Sequence, residues 1–304
     1  MKPKILVADK IHKDAVEELK KFAEVDADFE ITAEDLVKKV AEYEAVIVRS
    51  RSKVTREVIE AGGKLKAIGR AGVGLDNVDV ETAKAKGIQV YNAPESLTIS
   101  VAELALGLMI ATARNIGYGD RTMRESKWEK KKCTGMELYG KTLGVVGFGR
   151  IGREVALRAR AMGMEVLAYD PAITVEDARE YNARLSEVDE LLANSDIVTL
   201  HIPANEKTKG FMNKERLDKM KKTAYLINTA RGAVVDEKAL IEALKNGTIR
   251  GAGLDVFENE PLTESELTKL DNVVLTPHIG SGTEDAQRTA GMIVAEKMAA
   301  LFKA

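Results

Sequence analysis

The chain has 304 residues, 45% hydrophobic and 31% charged, with 46 basic and 48 acidic side chains and a formal net charge of −2. This length suits two domains. The near-balance of charge argues against a nucleic-acid-binding surface, and the single cysteine, Cys133, excludes an internal disulfide or a cysteine-based zinc cluster. Met1-Lys2-Pro3-Lys4 leads straight into a strand pattern, and the apolar run 101–113 contains Glu103 and is too short to span a bilayer. A cytoplasmic protein without a membrane partner or a bound metal is expected.

In chain order, Lys4–Ala8 reads as a strand, Asp14–Phe22 as an amphipathic helix and Ala45–Arg49 as a strand. Leu65–Gly69 and Ile88–Tyr91 repeat the strand pattern, with a short helix, Val80–Lys86, between them. Strands alternating with helices imply a parallel sheet. A long apolar helix over Ser100–Arg114 then leads to a second unit and is apolar enough to serve as a dimer contact. The later strands are Ile197–His201, Ala224–Asn228, Gly251–Val256 and Val273–Leu275, and a last helix covers Thr283–Phe302. The expected fold is two-domain α/β, with a nucleotide-binding domain at 96–283. A second domain is built from both chain ends, 1–95 and 284–304.

The most informative segment is Leu143-Gly144-Val145-Val146-Gly147-Phe148-Gly149-Arg150-Ile151-Gly152: an apolar strand, a glycine turn and the start of a helix. The glycines fall as G-x-G-x-x-G. In such a unit Gly147 makes the tight turn, Gly149 admits a pyrophosphate close to the backbone, and Gly152 lets helix pack on strand. Arg150 and Ile151 open the helix, whose N-terminal N–H groups favour an anion. The next strand, Glu165–Tyr169, ends in Asp170, 18 residues beyond Gly152. An acid near that offset binds the adenine ribose and repels a 2′-phosphate, so the expected cofactor is NAD.

Four polar residues stand out at the carboxyl ends of the later strands: His201, Arg231, Asp255 and His278. Hydride chemistry on a carbonyl needs a cation for the substrate carboxylate and an acid for the developing alkoxide. It also needs a carboxylate to orient that acid and favour its charged form. Arg231, within Asn228-Thr229-Ala230-Arg231-Gly232, supplies the cation. His278, between Pro277 and Ile279-Gly280, supplies the acid, and Glu258 or Glu260 the carboxylate. The small residues around Arg231 argue against an ordinary surface ion pair. His201 either lines the cofactor or is a loop histidine, and His12 begins a surface helix.

These motifs resemble the D-isomer-specific 2-hydroxyacid dehydrogenases over nearly the whole chain. The resemblance rests on Gly147–Gly152, Asn228–Gly232, Gly253–Phe257 through Asn259-Glu260-Pro261, and Pro277–Gly280. It implies a Rossmann-type doubly wound NAD domain and a flavodoxin-like lid domain that closes to exclude water. It also implies a catalytic trio of Arg231, Glu260 and His278, and a homodimer. Cofactor contacts follow at Gly147, Gly149, Arg150, Ile151, Gly152 and Asp170. Others are implied at His201, Pro203 and Thr208 beside the dinucleotide, at Thr229 and Ala230, and at Asp255 and Gly280 near the nicotinamide.

Within the family, Val48–Thr55 and Gly69–Asp79 resemble members that act on a small phosphorylated 2-hydroxy acid. Arg49, Ser50 and Arg51 cluster after a strand, where a phosphate dianion would meet charge-assisted donors. If the strand continued, alternation would turn Arg49 and Arg51 to one side. Gly72, Val73 and Gly74 are the expected backbone helpers for the substrate. Many such members carry a C-terminal regulatory domain. The sequence stops after the last family helix, so feedback through such a domain is not expected. The alternatives are a glyoxylate or hydroxypyruvate reductase and, more distantly, a dinucleotide-sensing corepressor on the same fold.

Overall fold

A computed structural model, which describes residues 2–303, divides the chain into two compact units. One is Met1–Thr98 with Ser281–Ala304, and the other is Ile99–Gly280.

The first unit holds β1 (Lys4–Val7), β2 (Glu24–Ala27), β3 (Ala45–Val48), β4 (Ala67–Arg70) and β5 (Gln89–Tyr91). All pair in parallel, in the order β2-β1-β3-β4-β5. This is the flavodoxin-like order of a doubly wound sheet. β3, Ala45-Val46-Ile47-Val48, is buried at every residue, as a strand covered on both faces requires. The helix Glu284–Lys303 places Ala290, Val294, Ala295 and Met298 in one core with Ala15 and Leu19. Gly69 makes room for it, since a Cβ there would lie 2.6 Å from Val294 and 2.8 Å from Met298.

The second unit holds β6 (Thr142–Val146), β7 (Glu165–Tyr169), β8 (Arg184–Leu185), β9 (Ile197–Leu200), β10 (Tyr225–Asn228), β11 (Gly251–Leu254) and β12 (Val273–Leu275). These strands are also all parallel, in the order β12-β11-β10-β9-β6-β7-β8. From β6 the sheet grows one way through β7 and β8, then the other way through β9 to β12. β6 and β9 therefore flank the switch point, with Val146 paired to Leu200. Ligands of open α/β sheets bind outside the carboxyl ends of strands at such a point.

Three expectations change. The long helix runs over Thr98–Ala113, and much of its apolar surface is already in the second unit's own core through Ala102, Ala105, Leu106, Leu108 and Met109. Gly253 on β11 admits it closely, with Leu108 Cβ 3.1 Å from where a Cβ would stand. Exposed large apolar side chains remain on this helix at Ile99 and Ile110, and others follow at Ile116, Met123 and Trp128. Second, β3 ends at Val48, so Arg49 and Arg51 sit on a loop and strand alternation does not apply. Third, several elements lie outside the predicted set. β2 is an edge strand with alternating charge and no apolar run. The helices Ala33–Lys39 and Arg56–Ala61 span under two turns, and Ile116–Arg124 carries two glycines. Among the described residues, no single helix is long and apolar enough to cross a membrane.

Candidate active site

The glycine turn follows β6 at the switch point. Gly147 has φ +92°, and a Cβ there would lie 2.7 Å from the His201 carbonyl group across the crevice. Phe148, fully buried, anchors the turn against Tyr181 edge-on at 5.8 Å, a burial of about 2 kcal/mol. Gly149 caps the helix Arg150–Ala161, and the space beyond its Cα is open. Gly152 closes the unit, because any Cβ would strike the Gly147 carbonyl oxygen. Asp170 accepts from Phe148 N at 2.8 Å and from Ala172 N at 2.9 Å, tying the end of β7 to the glycine turn.

His201 follows β9. Its Nε2 lies 3.0 Å from Thr199 Oγ1, while Nδ1 is buried without a partner among the described residues. Burial pushes its pKa down to about 3, so the ring is neutral at physiological pH. The loop beyond is closed by Thr208, whose hydroxyl donates to the Pro203 carbonyl at 2.5 Å and accepts from Asn205 N at 2.9 Å.

At the end of β10, Asn228 closes a local turn. Its Oδ1 accepts from Ala230 N at 3.0 Å, and its Nδ2 donates to Arg231 O at 2.9 Å. Arg231 Nη1 donates to Ala230 O at 2.8 Å. Gly232 lets this loop pass against Phe257 and Glu258, whose backbone a Cβ would overlap. The Thr229 hydroxyl is buried and has no hydrogen-bond partner among the described residues.

The loop after β12 carries His278, and Asp255 holds it in place. Asp255 is 1% exposed. Its Oδ1 accepts from the Thr276 hydroxyl at 2.6 Å and from Ile279 N at 2.8 Å, and its Oδ2 from Gly280 N at 2.8 Å. His278 N donates to Asp255 O at 2.8 Å. The carboxylate expected beside the nicotinamide is thus committed to the loop. Under these constraints His278 adopts φ +53°. Its Nδ1 sits 2.7 Å from Glu260 Oε2, while Glu260 Oε1 accepts from Phe257 N at 3.0 Å. Of the two candidate carboxylates, Glu260 is the partner. A carboxylate on Nδ1 fixes the tautomer and leaves Nε2 for proton transfer. A pocket of about 570 Å³ opens beside the pair, lined by Phe257, Pro261, Leu262, Leu275 and Pro277.

In the first unit, Arg49, Ser50, Gly72, Ser281 and Gln287 line a small pocket. Burial pulls the Arg49 guanidinium below its ordinary pKa, an effect the Asp9 charge opposes. Among the described residues its side chain makes no hydrogen bond or ion pair. Arg51 turns elsewhere. Its guanidinium donates to Ile31 O and Ala8 O and pairs with Asp9 at 3.3 Å, so it does not join Arg49. Gly72 N donates to Arg70 O, and Asn92 Nδ2 donates to Val73 O. The Val73 and Gly74 N–H groups have no acceptor among the described residues. His12 caps the helix Lys13–Lys20, accepting from Asp14 N.

The model of the D-isomer specific 2-hydroxyacid dehydrogenase NAD-binding domain matches residues 106–280. The chain is 50% identical over 296 residues to D-3-phosphoglycerate dehydrogenase of Methanocaldococcus jannaschii, covering 97% of this chain and 56% of that one. The chain belongs to the D-isomer specific 2-hydroxyacid dehydrogenase family. It spans about half the length of the first curated relatives it matches. A second relative, hydroxypyruvate reductase of Thermotoga maritima, is 46% identical over 299 residues and is matched over 97% of both chains. A solved structure of Aquifex aeolicus D-lactate dehydrogenase, complexed with NAD and lactic acid, aligns with TM-score 0.84 and 30% identity. That alignment covers 99% of this chain and 95% of the other. As a family member the chain takes NAD. The residues present fit it: a glycine turn open at Gly149, and buried polar atoms on His201 and Thr229 that find no partner among the described residues.

Two residues that position the site lay outside the sequence reading. Asn228 was legible only as part of the Asn228–Gly232 segment. Asp9 follows the buried run Ile5–Val7, a carboxylate at a strand's carboxyl end that could have drawn attention.

Proposed function

We propose that this chain catalyses the NAD-dependent oxidation of 3-phospho-D-glycerate to 3-phosphohydroxypyruvate, the entry to the phosphorylated route to serine. The observation that carries the substrate is Arg49: a partly buried guanidinium, lining a pocket with Ser50 and bonded to no side chain among the described residues. A desolvated cation with unused donors is stabilised by a multiply charged anion. The name of the relative at 50% identity agrees.

Arg231 holds the substrate carboxylate, helped by backbone N–H groups at Val73 and Gly74, and Arg49 with Ser50 holds the phosphate. His278 Nε2 takes the hydroxyl proton as the C2–H bond breaks and the C2 carbonyl forms. The imidazolium is stabilised by Glu260, which keeps Nδ1 aligned. NAD, which the Gly147–Gly152 turn would hold, would supply the hydride acceptor when bound. Asp170, already tied to the glycine turn, meets the adenine ribose and disfavours a 2′-phosphate. The enzyme acts as a cytoplasmic homodimer, with the apolar helix Thr98–Ala113, which exposes Ile99 and Ile110, as a contact together with Ile116, Met123 and Trp128 beyond it.

A second reading, reduction of hydroxypyruvate or glyoxylate, is favoured by the full-length match to a hydroxypyruvate reductase. It uses the same trio and has no need of Arg49. The deciding experiment follows NADH absorbance with 3-phosphoglycerate, glycerate, glyoxylate, hydroxypyruvate and D-lactate. Preference for 3-phosphoglycerate over glycerate supports the first reading. Equal rates on both, with fast hydroxypyruvate reduction, support the second.

A further inference from the structure

Asp9 lies at the carboxyl end of β1 and is 2% exposed. A buried carboxylate costs several kcal/mol unless donors surround it, and here the donors come from one short stretch. Asp9 Oδ2 accepts from Arg49 N at 2.6 Å and from Ser52 N at 3.1 Å. Its Oδ1 accepts from the Ser52 hydroxyl at 2.6 Å. Arg51 Nε, 3.3 Å from Oδ1, balances its charge.

The opposite polarity of the same loop is held by a second side chain. Asn77 Nδ2 donates to Arg49 O at 3.0 Å and to Ser52 O at 2.6 Å. Amide hydrogens at both ends of the Arg49–Ser52 loop are therefore fixed by Asp9, and carbonyls at both ends by Asn77. The two side chains are 68 residues apart in sequence and converge on one four-residue turn.

We propose that Asp9 and Asn77 are positioning residues for anion recognition. Neither touches the substrate. Together they hold the Arg49–Ser52 backbone so that the Arg49 side chain and Ser50 meet a phosphate without reorganising. Rigid loops lose less entropy on binding, and misplacing a binding group by an ångström weakens its interaction steeply. The clamp also explains Arg51, whose guanidinium serves as the counter-ion of Asp9. This inference rests on the phosphate reading above.

The test compares Asp9→Asn, Asn77→Ala and Arg49→Ala with the unmodified enzyme. It measures KM for 3-phosphoglycerate, KM for NAD, kcat and the thermal midpoint. Asp9→Asn is expected to raise KM for 3-phosphoglycerate about tenfold, the effect of losing one charge-assisted hydrogen bond. KM for NAD is expected to hold, and kcat to change less than KM. A residue that serves only folding would lower the midpoint and move both KM values together, and that result overturns the proposal. If Asp9→Asn does not fold, Asn77→Ala carries the same comparison, with an unchanged KM for 3-phosphoglycerate as the overturning result. Arg49→Ala separates the two levels. If it raises that KM while both clamp variants leave it unmoved, the clamp is wrong and the phosphate reading stands. If Arg49→Ala itself has no effect, the phosphate reading fails.

Discussion

His278 Nδ1 lies 2.7 Å from Glu260 Oε2. The other Glu260 oxygen is held by the Phe257 amide, so the carboxylate cannot rotate without breaking a second bond. The imidazole is thereby fixed in direction and tautomer by the chain's own groups.

The first expectation concerns this pair. His278→Gln is expected to lower kcat about 10²- to 10⁴-fold, the usual worth of general acid–base catalysis. NAD affinity, read by fluorescence titration of NADH, is expected to stay within about twofold, because His278 belongs to the proton path. Glu260→Gln is expected to lower kcat less, since it leaves the imidazole in place but weakens its cation. An unchanged kcat in the first variant removes His278 from the mechanism.

Arg49→Ala is expected to raise KM for 3-phosphoglycerate about ten- to hundredfold, as loss of a charge-assisted contact does. Arg51→Ala is expected to act differently: it leaves buried Asp9 without its counter-ion and lowers the thermal midpoint. Steady-state kinetics and calorimetry on the pair distinguish the roles. Equal KM effects in both variants contradict this division.

Asp170→Ala removes an acceptor for the Phe148 and Ala172 amides as well as a negative charge. The kcat/KM ratio of NAD to NADP is expected to fall about tenfold, mainly through weaker NAD use. An unaltered ratio counts against Asp170 as the ribose-binding acid.

His201 makes a prediction about pH. Burial holds its folded-state pKa at about 3, below the unfolded value of 6.5. Between those values the unfolded chain binds the proton and the folded chain does not. Stability therefore falls as pH drops through 6.5 toward 3, by at most about 1.4 kcal/mol per pH unit. His201→Gln is expected to flatten this acid limb in thermal melts at pH 4, 5, 6 and 7. An identical limb in both proteins would falsify the assignment.

Much of the second unit was legible because its chemistry needs particular residues at particular spacings. The glycine turn shows this residue by residue. Gly147 takes a positive φ, Gly149 faces open space, and Gly152 meets the Gly147 carbonyl. The Glu260–His278 pair was legible as two residue types, and only the fold chose Glu260 over Glu258. Arg51 was misread because its partners, Ala8, Asp9 and Ile31, come from chain segments 20 or more residues away. Periodicity carries no information about such contacts. Asp255 is a similar case: its position was visible, but its three bonds to the 276–280 loop depend on how β11 and β12 sit side by side.

The backbone at position 278 lies in the left-handed region, where glycine and asparagine are at ease and a histidine costs about 1 kcal/mol. Asp255 keeps it there through bonds on either side. A library randomised at this codon would thus return two different winners. Screened for heat resistance it would enrich glycine and asparagine, and screened for turnover it would enrich histidine.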